Sequence, residues 1–93
     1  MIIKIDADKA QKIGVPQVVT MRQARLALVQ SGLLAQVNTA VANMPGAQGD
    51  AARIEWEFSS TVERNRQLVQ SLIGALGLTE SQLDDLFRLA ATL

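Results

Sequence analysis

The chain has no cysteine and no histidine among its 93 residues. Without cysteine there is no disulfide framework and no thiolate metal site. Without histidine the usual base of an acyl-transfer triad is missing. A serine–lysine arrangement would have to draw on Lys4, Lys9 or Lys12, the only lysines, all within the first twelve residues. Neither G-x-x-x-x-G-K-[ST] nor G-x-G-x-x-G occurs, so phosphate cradling has no motif support. Nine basic and nine acidic residues leave a net charge of zero, which gives no electrostatic footprint for nucleic acid or an anionic membrane. No apolar run approaches the roughly 20 residues of a membrane span. Lys4 and Asp6 interrupt the opening apolar run, so it does not read as a signal peptide, and the expected compartment is the cytoplasm.

What remains is a chain with 48% hydrophobic residues, a globular level, and a length that suits one small domain. Met1 to Asp6 reads Met-Ile-Ile-Lys-Ile-Asp, an apolar run rich in β-branched side chains. A single strand cannot satisfy its own backbone N–H and C=O groups. The run is therefore expected to complete a sheet on another molecule or to stay unstructured. A polar connector follows over residues 7–18, with Gly14 and Pro16 as breaks and Gln17-Val18-Val19 leading extended into Thr20.

From Thr20 onward the chain reads as helix. Thr20-Met21-Arg22-Gln23 fits a capping box, and Gly32 suits a left-handed stop. A second helix is expected over Leu33–Met44, with Leu33, Leu34, Val37, Val41 and Met44 at helical spacing. The two should form a helical hairpin or corner. Pro45-Gly46-Ala47-Gln48-Gly49 reads as a loop, with Asp50 as cap of a third helix over Ala51–Phe58. Ile54 and Phe58 share a face of that helix and Trp56 lies well round from both. Ser60-Thr61-Val62-Glu63 reads as a second capping box that starts or kinks a fourth helix, with Val62, Val69, Leu72, Ile73 and Leu76 as its apolar stripe and Gly77 as its stop. Thr79-Glu80-Ser81-Gln82 is a third box, and Leu83, Leu86, Phe87, Ala90 and Leu93 form the stripe of a last helix. The expected fold is mainly α: a bundle of four to five short helices over 17–93, preceded by an extended, β-like interaction arm and connector over 1–16.

Few residues suggest chemistry. Glu80, Asp84 and Asp85 are the densest acidic group and suit a helix N-terminus. Glu55 and Glu57 are two apart on a helix and point to different sides, which makes a shared metal a poor fit. Asp6 and Asp8 alone make a poor cation site. No metal, cofactor or small-molecule substrate is expected, and an enzyme is the last reading. Arg22, Gln23 and Arg25 on the first helix are a thin surface for reading DNA, although the first two helices have helix–turn–helix lengths. Trp56 and Phe58 read either as core or as an aromatic anchor for another protein, rimmed by Arg53, Arg64 and Arg66. The candidate interaction residues are Ile2, Ile3, Ile5, Arg53, Trp56 and Phe58.

Several strings carry a resemblance. Val19 through Leu28, Gly32-Leu33-Leu34, Ile54 through Phe58, Ala75 through Thr79 and Leu83 through Phe87 together resemble small proteins from the tail-fibre and baseplate region of tailed bacteriophages and prophages. The resemblance covers roughly residues 17–93. It implies a virion component made in the bacterial host cytoplasm and bound to a larger tail protein or to copies of itself, with no nucleic acid and no membrane involved. A tail-fibre assembly chaperone absent from the mature particle is the first alternative, and a small DNA-binding regulator the second. The motifs are family markers, so no binding residue is implied by them. Deleting residues 1–8 is expected to abolish assembly and leave far-UV circular dichroism of the body intact. Assembly that survives the deletion would remove the arm from the interaction.

Overall fold

The computed structural model describes residues 14–93, and the arm carrying Ile2, Ile3 and Ile5 lies outside them. Among the described residues there are two short strands and five helices. In chain order they are β1 (Val18–Thr20), α1 (Met21–Gln30), α2 (Leu34–Ala42), α3 (Gly46–Phe58), β2 (Thr61–Glu63), α4 (Gln67–Leu76) and α5 (Glu80–Ala91). The chain is mainly helical, as its periodicity predicts.

Two of the three capping boxes form. Thr20 and Gln23 exchange hydrogen bonds of 3.0 and 2.9 Å at the start of α1. Thr79 and Gln82 do the same at 3.1 and 2.8 Å for α5. Gly32 and Gly77 take left-handed φ values of 72° and 68° and close α1 and α4. Behind Gly32, Leu33 N–H reaches Leu28 C=O at 2.8 Å and Gly32 N–H reaches Val29 C=O at 3.1 Å, the paired bonds of a Schellman motif.

Three segments depart from the sequence reading. Ser60-Thr61-Val62-Glu63 does not begin or kink a helix. Thr61–Glu63 is a strand, antiparallel to β1 in the register Val18↔Glu63, Val19↔Val62 and Thr20↔Thr61. The local box chemistry loses here because Thr61 and Val62 are β-branched and find a ready-made extended partner in Val18-Val19-Thr20. Helix α4 therefore starts later, at Gln67, and Leu68 joins Val69 as a buried position.

Pro45–Gly49 is likewise not a loop. Helix α3 begins at Gly46, and Gly49 N–H donates to Pro45 C=O at 3.1 Å. Asp50 is no cap, since it sits inside the helix and pairs with Arg53. Gly49 is buried, and a Cβ there would lie 1.9 Å from the Met44 carbonyl oxygen. Its glycine serves close packing of the α2–α3 connection rather than a turn. Val15, within the stretch read as a polar connector, is buried in the core.

The core has two buried clusters. Val15, Val19, Ala27, Val69, Leu83, Phe87 and Ala90 join β1, α1, α4 and α5. Val37, Val41, Ala52, Trp56 and Leu68 join α2, α3 and α4. Leu68 and Val69 are neighbours on α4, about 100° apart around its axis, so this helix is a wall shared by both clusters. The apolar crevice between them holds about 70 Å³, far below the roughly 300 Å³ at which ligand pockets begin. No described helix is long and apolar enough to cross a membrane.

Replacing Gly49 by alanine is expected to lower stability by ~3 kcal/mol, the upper end of overpacking effects, because the clash is with backbone. Urea denaturation of the two chains measures the difference, and an unchanged midpoint would contradict the close approach.

Candidate protein-interaction surface

Helix α3 carries the candidate residues and sends them in opposite directions. Trp56 faces inward and is 8% exposed, packed among Val37, Val41, Ala52 and Leu68. Its one polar atom is satisfied, with indole Nε1 donating to Asn38 Oδ1 on α2 at 2.9 Å. The Arg25 guanidinium lies over the ring, 4.5 Å from its centroid, and an Arg25 amino group donates to the Trp56 carbonyl oxygen. Trp56 is thus core, held on one side by α2 and on the other by α1.

Arg53 is also occupied with the fold. Its Nη1 donates to the carbonyls of Val41, Ala42 and Met44 at 3.2, 3.1 and 3.0 Å, and its Nη2 pairs with Asp50. The last carbonyls of a helix lack intrahelical partners, and here one guanidinium from α3 serves the end of α2. Arg64, expected on the same rim, instead contacts α5. Its Nε donates to Asp84 at 2.8 Å and its Nη2 to Glu80 at 2.9 Å, with Arg64 and Asp84 side chains each 17% exposed. Arg66 approaches Glu63 at 3.6 Å. Of the sequence-predicted aromatic surface, only Phe58 is presented outward.

Phe58 is 80% exposed and Ile54, one turn earlier on the same face, is 59% exposed. Glu55 and Glu57 flank this pair, and neither forms an ion pair with a described residue. The surface is therefore apolar at its centre and acidic at its sides. An adjoining depression runs along β2 and is lined by Glu55, Ser59, Thr61, Glu63, Arg66 and Leu68 among others.

A second, open depression of about 300 Å³ is lined by Arg25, Asn38, Arg53, Trp56 and Glu57. Arg25 Nη2 and both Arg53 amino groups are bound to backbone carbonyls or to Asp50, while Arg25 Nε is buried without a partner among the described residues. Among the described residues no three acidic side chains converge as a cation site. Glu80 and Asp84 share Arg64, and Asp85 pairs with Arg88 at 2.9 Å. Arg25 is committed to Trp56, so the arginines of α1 reduce to Arg22 as an exposed cation.

Ile54 is not among the candidate interaction residues of the sequence, although the sequence places it on the face of Phe58, with both residues about 200° around the helix from Trp56. Comparison with known protein families, curated proteins and solved structures finds no match.

Replacing Arg53 by methionine keeps the stem and removes the donors. It is expected to cost about 2 kcal/mol in chemical denaturation, since three buried-edge carbonyls lose charged partners. Arg53→Lys should recover only part of this, because a point ammonium does not span three carbonyls as a guanidinium does. Full stability of the methionine variant would remove Arg53 from the α2–α3 junction.

Proposed function

We propose that this chain is a non-enzymatic protein-interaction component of a phage tail, acting as an adaptor at the fibre or baseplate. The observation that carries the interaction reading is the outward Phe58–Ile54 pair, two large apolar side chains exposed side by side on α3. Aromatic side chains are favoured anchors where a partner excludes water. The flanking Glu55 and Glu57 provide a charged rim, and the strong cations nearby are held within the fold. The tail location is supported by the resemblance of residues 17–93 to small proteins of the tail-fibre and baseplate region.

Phe58→Ser should leave denaturation within about 0.5 kcal/mol of the parent, as exposed positions do, and should remove the chain from the tail complex. Retained incorporation would move the contact off α3. Quantitative mass spectrometry of purified particles from the encoding phage tests the location. A fixed copy number per particle is expected. Absence from the particle, with the protein abundant in the infected cell, would transfer the reading to an assembly chaperone.

A further inference from the structure

Among the described residues no strand lies on the outer edge of β2, and the register identifies which groups face outward. Met21 N–H bonds to Ser60 C=O and Arg64 N–H to Gln17 C=O, both at 2.8 Å. In an antiparallel ladder these bonded pairs alternate with non-bonded ones. The 17:64, 19:62 and 21:60 pairs are therefore the bonded ones, and Thr61 and Glu63 direct their N–H groups away from β1. No described group accepts from either N–H, and none donates to the Thr61 C=O. Edges of this kind accept a further strand.

We propose that this edge receives residues Met1–Asp6 of a second copy of the chain, so that two molecules exchange arms. The segment has the composition of a strand and the alternation the site calls for. In an extended strand Ile3 and Ile5 share one face, and Ile2 and Lys4 share the other. On β2, Val62 faces the core side and Thr61 and Glu63 face the opposite side. Seating Ile3 and Ile5 on the Val62 side places them over the depression beside Leu68 and Glu55. Phe58 is three residues from Thr61, within about 11 Å along even a fully extended chain, close enough to cover such a strand. Lys4 then falls on the Glu63 side as an opposite-charge cross-strand pair. The charges agree more widely. Every lysine lies in the first twelve residues, whereas Glu55 and Glu63 line the depression at the edge, Glu63 with Arg66 at 3.6 Å and Glu55 with no ion pair among the described residues.

The arm's own chain continues into β1, on the far side of the ribbon from this edge. Each copy offers one donor segment and one acceptor edge, and reciprocal exchange closes a two-fold dimer without leaving either edge open. The inference rests on the interaction reading of the chain and not on its location in a tail.

Sedimentation equilibrium of the full chain and of two charge variants tests it. The parent chain is expected to dimerise. Lys4→Glu and Glu63→Lys chains should each self-associate about tenfold or more weakly, because like charges oppose at both exchanged strands. Mixed together, they should form a one-to-one heterodimer of parental affinity, since both exchanged pairs are then complementary. Thr61→Pro, which removes an outward N–H at an edge position where proline is tolerated, should give a folded monomer by circular dichroism. A parent chain that is monomeric at all concentrations, or a dimer indifferent to the charge variants and to Thr61→Pro, overturns the proposal. Because these are measured on the purified chain, a negative result is distinct from a failure of the tail reading, which is decided on particles.

Discussion

Three backbone residues on either side of the β1–β2 pairing hold together parts of the chain that lie far apart in sequence. Val19 and Val62 sit opposite each other. Val19 is buried, and Val62 packs against the same cluster. The pairing continues beyond the strands at both ends. Met21, the first residue of α1, gives its N–H to Ser60, so one of the unpaired donors at the helix start is satisfied by the ribbon. At the other end Arg64 gives its N–H to Gln17 and its guanidinium to Asp84 and Glu80 on α5. One short strand thereby fixes the start of α1, the chain entry near Val15 and the first turns of α5. With α1 to α3 enclosed between its strands, the ribbon closes the molecule in a way that helix packing alone would not.

The second constraint is the use of arginine inside the fold. Arg53 supplies the end of α2, Arg25 covers Trp56, and Arg64 joins β2 to α5. Each guanidinium has a fixed fork of donors that matches carbonyl and carboxylate geometry better than a lysine ammonium. The body accordingly carries arginine and no lysine. A consequence for function follows. With these cations engaged internally, the outward face of α3 is left with Phe58, Ile54, Glu55 and Glu57, an apolar centre with an acidic border. That chemistry supports the proposed protein partner over the phosphate backbone of a nucleic acid, which is bound by several free cations.

Much of this was legible in the residue order. The boxes at Thr20 and Thr79 and the stops at Gly32 and Gly77 are local devices, fixed by neighbours within five residues. The stripe Leu83, Phe87 and Ala90 is a periodic signal that packing only reinforced. The misreadings have long-range causes. Ser60–Glu63 satisfies the box pattern as well as Thr79–Gln82 does, and what separates them is the extended Val18–Thr20 segment elsewhere in the chain. Pro45–Gly49 has loop composition, yet Gly49 is needed by the approach of the Met44 carbonyl, which no local pattern records. At the candidate surface, helical spacing separated Trp56 from Phe58 and Ile54. It did not say which side was core. That depended on Asn38 and Arg25, contributed by two other helices.

Native-state hydrogen exchange of the ribbon amides tests the central constraint most directly. If the ribbon closes the fold, the N–H groups of Val19, Met21, Val62 and Arg64 should exchange only through global unfolding, with the same free energy as the buried turns of α5. Exchange of these four amides at the rate of frayed chain ends, while the helices stay protected, would show that the helices hold together without it.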